Sequence, residues 1–127
     1  KISFPFFDPQ FLSFDSKDVP LFVRVFHPDH ASLFFIGLVQ PQGCIWPLAD
    51  AHSKLVANFI VGNYQTPPDM RQRVQAQIER QRRFYLNSPR HTVEVEFHKH
   101  LWEVQHEIPS SAPAWSDSIL HARRVGA

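Results

Sequence analysis

An α/β fold is what this sequence predicts, on three observations. Residues 33–39, Leu-Phe-Phe-Ile-Gly-Leu-Val, form a continuous apolar run that suits a strand covered on both faces in a parallel or mixed sheet. The period then changes: Leu48, Ala51, His52, Leu55, Val56, Phe59 and Ile60 recur at steps of three and four, which stripes one face of a helix. Only a short loop separates the two, so strand, loop and helix read as one α/β unit.

In chain order, residues 4–14 carry five aromatics around Asp8-Pro9, a spacing that suits short extended pieces joined by turns. Leu21-Phe22-Val23-Arg24-Val25-Phe26 is rich in β-branched and aromatic residues and stops at the turn signal His27-Pro28-Asp29, so it reads as a strand. After the apolar run, Pro47 opens the first helix and Gly62 closes it. Proline there lacks only an amide with no intrahelical partner, and glycine accepts the left-handed cap conformation. Thr66-Pro67-Pro68-Asp69 starts a second helix through Met70, Val74, Ile78 and Tyr85, which Ser88-Pro89 ends. Thr92-Val93-Glu94-Val95-Glu96-Phe97 alternates at period two as a strand does, and Leu101, Val104 and Ile108 mark a short helix before Pro109. Residues 1–108 read as the carboxyl-terminal part of a larger domain, and residues 109–127 as a linker or disordered tail.

Composition agrees with one soluble globular domain: 127 residues, 43% hydrophobic and 20% charged. Lys+Arg 13 against Asp+Glu 12 leaves a formal charge of +1, too little to draw nucleic acid or an anionic membrane. No apolar run approaches the roughly 18 residues of a transmembrane segment. The single cysteine, Cys44, cannot close an internal disulfide, which points to a reducing cytoplasmic setting. The chain opens with Lys1 and lacks a signal-cleavage signature, so it reads as a piece of a longer protein. Its glycines, Gly37, Gly43, Gly62 and Gly126, fit neither G-x-G-x-x-G nor a Walker loop, so the chain cannot build a dinucleotide phosphate cradle alone.

The segment most suited to a ligand is Gln40-Pro41-Gln42-Gly43, at the carboxyl end of the buried strand and just before a helix N-terminus. In open α/β sheets ligands gather there. The helix offers unpaired amides and a partial positive charge, and Gly43 lets a planar ligand approach the backbone. An electron-rich ring carbonyl suits that site; a plain turn with solvated Gln40 and packed Trp46 is the structural alternative. Cys44 before the helix superficially resembles a thiol nucleophile, yet nothing in the sequence order pairs it with a base, so it reads as a core or turn thiol. The eight histidines have no zinc-binding spacing: His98 and His100 share a face only on a strand, and His106-Glu107 lacks the second His of H-E-x-x-H. No metal is expected. Arg71, Arg73, Arg80, Arg82, Arg83 and Arg90 make the second helix basic; with the total charge near neutral, that face is read as solvated, wrapped on the parent's surface or docked on another subunit, rather than as a nucleic-acid site.

Several motifs together resemble the carboxyl-terminal part of flavin-containing monooxygenases. They are Phe4-Pro5-Phe6-Phe7, residues 21–28 ending in Phe26-His27-Pro28, the run from Leu33 through Gln40-Pro41-Gln42-Gly43 with Pro47-Leu48-Ala49, and Arg90-His91-Thr92-Val93. They occur in the family's order over roughly residues 4–108. The resemblance implies the last strand and helix of a doubly wound, Rossmann-type FAD/NAD(P)-binding domain, followed by carboxyl-terminal helices. It implies a parent enzyme that uses FAD and NADPH, mainly bound by segments other than these, and transfers one oxygen atom of O2 to a small organic substrate through a flavin C4a-hydroperoxide. The cofactor carries that chemistry and the protein positions it. The implied flavin contacts are Gly37, Leu38, Gln40 and Gly43, Gln40 foremost; no residue here is implied to be catalytic. Cys44 stands where the family pattern has a small residue. A different class, a stand-alone α/β interaction module docking a protein through the basic helix, is the alternative.

Overall fold

The computed structural model describes residues 4–8, 10–12, 18–84 and 93–111. Five elements follow in order: β1 (Gln40–Pro41), α1 (Trp46–Ile60), α2 (Met70–Phe84), β2 (Glu94–Val95) and α3 (Phe97–Glu107). The two short strands pair in parallel, Gln40 opposite Glu94 and Pro41 opposite Val95. An α/β arrangement is therefore present, with far less sheet than the apolar runs predict.

Helix α1 forms where its stripe places it. Leu48, Ala51, His52, Leu55 and Val56 are buried, Phe59 packs against the core, and Gly62 follows in the left-handed region at φ +82°. Ile60, also on the stripe, is 68% exposed. Asn58 takes an interior position instead: its amide donates to the Lys54 carbonyl at 2.9 Å, while its own carbonyl accepts the Asn63 and Tyr64 amides at 2.9 and 3.1 Å. Those bonds turn the chain back after the helix. Tyr64 then donates its hydroxyl to Glu107 at 2.8 Å, tying the end of α3 to this corner, and burial together with that carboxylate pushes its ionisation far above the ordinary phenol range.

Val74 and Ile78 of α2 and Val104 of α3 complete the main core with Phe22, Val25 and Phe26. Tyr85, Ser88 and Pro89 lie outside the described residues, as do Arg90, His91 and most of the tail. Helix α3 begins earlier than its apolar stripe indicates, because Glu96 caps it: the carboxylate accepts the His98 and Lys99 amides at 3.1 and 2.6 Å, which hold it below the usual carboxylate range.

Two expected strands are corrected. Residues 21–26 fold into a tight turn: Phe22 and Phe26 bridge each other, the Val25 amide donates to the Phe22 carbonyl at 2.9 Å, and Val23 and Arg24 sit at φ 43° and 61°. The left-handed region is costly for a β-branched residue. Burial of Val23 holds it, as does the buried Arg24 guanidinium, which donates to the Val19 carbonyl at 3.5 Å and to the Gln81 side-chain oxygen. Tertiary packing overrides β-propensity here. Residues 33–39 do not form a regular strand either. Phe34 bridges Phe26 and the Phe35 amide donates to Val25 at 2.9 Å, after which the chain bends at Gly37 and pairs only at Gln40–Pro41. A ladder exists only where a partner backbone supplies donors and acceptors, and among the described residues β2 supplies a short one.

Candidate functional site

The turn expected to meet a ligand joins the bend at Gly37 to the start of α1. Gly37 has φ +75°, a conformation that favours glycine, and its amide donates to His52 Nδ1 at 3.2 Å. Leu38 is half-buried against the cluster of Leu12, Val19, Leu21 and Phe35. The Gln40 amide donates to the Val93 carbonyl at 2.8 Å, which fixes the backbone while its side chain stays exposed. Gln42 is exposed too, and its side-chain amide reaches the Glu94 carboxylate at 3.4 Å. Gly43 lies at φ +135°, and a Cβ built there would meet nothing within 4 Å. The structure thus brings Gly37, Leu38, Gln40 and Gly43 onto one open turn, with two anchors on its backbone.

Helix α1 starts beside that turn without a side-chain cap, although Pro47 has no amide and the Leu48 and Ala49 amides already donate to the Ile45 carbonyl at 3.0 Å. Ile45 at the cap makes no side-chain hydrogen bond, and the first turn carries no acidic residue. A helix start of this kind retains its partial positive charge for an outside acceptor. Trp46 is 76% exposed, so the packed position expected of a plain turn is not what the structure shows. Cys44 is an exposed free thiol. Open space at Gly43, a helix start without a side-chain cap and an exposed side-chain amide at Gln40 leave room for the edge of a planar ligand that carries hydrogen-bond acceptors. The turn is an open surface; a cavity of about 280 Å³ lies elsewhere, between α2 and α3, against Arg24, Gln81, Glu94, His100 and Glu103.

The basic helix is not simply solvated. Arg71 pairs with Asp29, Arg82 with Asp18, and Arg73 with Asp69 at 2.9 Å and with Glu107 at 3.8 Å. These pairs tie α2 to three other parts of the chain and compensate its positive charge locally. Among the described residues no group of three or more His, Cys, Asp and Glu side chains could hold a metal ion. His27 and His30 stack with ring centroids 4.6 Å apart, and His106 stacks on Trp102 at 3.7 Å. Among the described residues no helix is long and apolar enough to cross a membrane.

Sequence reasoning placed His52 on an apolar stripe and missed its role as the acceptor of the Gly37 amide. The signal was present, since a histidine inside a helix's buried stripe needs a partner. His100 was weighed only as a metal ligand beside His98, although it precedes Val104 by one helical turn and is only 4% exposed.

Comparison with known proteins supplies a family. No individual curated protein matches the chain. The family described as flavin-binding monooxygenase-like matches residues 1–120, which include the turn, the start of α1 and all three helices. The chain belongs to the flavin-binding monooxygenase-like family.

Proposed function

We propose that this chain is the carboxyl-terminal part of an FAD- and NADPH-dependent monooxygenase, closing a doubly wound flavin domain with the turn at residues 37–43 and the start of α1. The observation that carries the reading is the family match over residues 1–120, within which this turn is open beside an uncapped helix start. Gly37, Leu38, Gln40 and Gly43 would hold the flavin. When bound, the flavin supplies the redox and oxygen chemistry that delivers one atom of O2 to a small organic substrate. The work of the chain's own residues is positional: Gly43 admits the ring edge, Gln40 offers a side-chain amide donor, and the helix start favours negative charge at that edge. Both nucleotide cradles need glycine turns that these residues lack, so they belong to other segments of the parent.

A cytoplasmic location suits the lone exposed thiol. The alternative of an interaction module is less favoured, because three of the arginines that would serve it are engaged with Asp18, Asp29, Asp69 and Glu107. The 127-residue chain alone is expected to purify colourless, whereas the full-length protein carrying it should retain FAD, oxidise NADPH and place label from isotopic O2 in product. Stoichiometric FAD in the isolated chain overturns the assignment of the cradles; a full-length protein without flavin overturns the function.

A further inference from the structure

Two imidazoles meet head to head inside the molecule, one from α1 and one from α3. His52 is fully buried and His100 is 4% exposed. Their Nε2 atoms are 2.9 Å apart and their rings are perpendicular. Neutral imidazoles share such a contact only when one nitrogen carries a proton and the other is bare. The far side of His52 decides which is which. The Gly37 backbone amide reaches His52 Nδ1 at 3.2 Å, and an amide N–H can only donate, so Nδ1 is bare and the proton sits on Nε2. His52 therefore donates to His100, whose own proton is left on Nδ1, the atom facing the Glu103 carboxylate at 3.9 Å. That separation is an electrostatic contact rather than a hydrogen bond.

We propose that His52 is a positioning residue for the flavin-contacting turn, and that His100 fixes the tautomer in which His52 can hold the Gly37 amide. The inference rests on the flavin reading above. Its leverage is geometric. Gly37 is where the backbone enters the left-handed region, three residues before Gln40, and the next anchor is the Gln40 amide on the Val93 carbonyl. Between those two anchors run Leu38, packed on the cluster of Leu21 and Phe35, and Val39, packed with Leu48 and Val95, so the Gly37 bond sets the path by which the chain enters the turn while the Gln40 amide stays held on Val93. Protonation at His52 Nδ1 would replace the acceptor with a second donor facing the amide. Burial and the facing imidazole oppose this by pushing His52 down to about 4. Around His100 stand Glu103 and Lys99 from α3, Arg80 from α2, Glu94 from β2 and Arg24 from the strained turn, all on the same cavity. The facing His100 holds the Glu103 carboxyl below its usual range, so Glu103 remains the anion opposite His100 Nδ1.

The test uses the full-length protein and two variants. In the apo-protein, imidazole nitrogen-15 spectra should show a bare Nδ1 at His52 and a protonated Nδ1 at His100. His52→Leu removes the acceptor and should raise the FAD Kd about five- to tenfold and lower the flavin midpoint potential. His52→Gln can accept from Gly37 and donate to His100 through one amide, and should restore the Kd to within about twofold and the potential to its wild-type value. Reversed tautomers, a folded His52→Leu with wild-type affinity and potential, or failure of His52→Gln to rescue, each overturn the proposal while leaving the flavin reading intact. If His52→Leu does not fold, His100→Phe carries the same test: weakened FAD binding supports the lock, and wild-type binding overturns it. A full-length protein that holds no flavin overturns both readings together.

Discussion

Leu55→Ala is expected to destabilise the protein by about 2–5 kcal/mol, read as a lower denaturant midpoint with unchanged slope. Leu55 is fully buried at the centre of the cluster in which α1 meets the Phe22–Phe26 turn, α2 and α3. Removing its side chain loses the transfer free energy and leaves a cavity that helices anchored on all sides cannot collapse to fill. A domain of this size has only about 5–15 kcal/mol in total. Ile60→Ala, on the same predicted stripe but 68% exposed, should fall within about 0.5 kcal/mol of wild type. Equal effects at the two positions would show that the helix packs through a different face.

Acid should unfold the protein earlier than its carboxylates alone require. His52 titrates at about 4 in the folded chain against the ordinary 6.5. Between those values the unfolded chain binds a proton that the folded chain excludes, so stability rises with pH through this window and is lost as pH falls. The loss reaches on the order of 3 kcal/mol by the lower end and none of it appears above pH 6.5. His27, pushed down by burial and by His30, acts in the same direction. Glu96 and Glu103 are held low by the Lys99 amide and by His100, so their contribution is lost only at more acid pH, below their ordinary 4.5. Unfolding curves at pH 7, 6, 5 and 4 check this, and His52→Gln should flatten the slope between 6.5 and 4. A wild-type slope in that variant would move the effect to another group.

What the sequence disclosed and what it withheld divide along physical lines. The three helices were legible because a period of three and four is a local property, as are the prolines that open α1 and α2; the Glu96 cap that starts α3 was not read. The loop from Gln40 to Gly43 before α1 was legible for the same reason, though Gly37 and Leu38 were read inside a strand rather than in the bend they occupy, and the order of the neighbouring motifs led to the family. The strands were not. Residues 21–26 have strong β-propensity, but the buried Arg24 and its contact with Gln81, on a helix far along the chain, settle a left-handed turn that no local pattern announces. Residues 33–39 are apolar enough for a central strand, yet pairing depends on a partner backbone. His52 and His100 were read singly, and their meaning lies in a meeting across 48 positions of sequence. Charge was read as a sum, whereas Asp18 and Asp29 pair individually with arginines of α2.

The central claim is that the turn after Gly37 contacts the flavin through Gln40, and the midpoint potential of the full-length enzyme tests it most directly. Reduction builds negative charge at the pyrimidine end of the ring, and an amide donor and a helix N-terminus placed there as proposed would stabilise the reduced form more than the oxidised one. Losing one such bond, worth about 0.5–1.5 kcal/mol, should lower a two-electron potential by about 10–30 mV in Gln40→Ala, with weaker FAD retention and more hydrogen peroxide released per NADPH. Gln42→Ala, which removes only an exposed 3.4 Å contact with Glu94, should leave the potential at its wild-type value. A Gln40→Ala enzyme with wild-type potential, FAD affinity and coupling would contradict the account and leave the turn a structural connection.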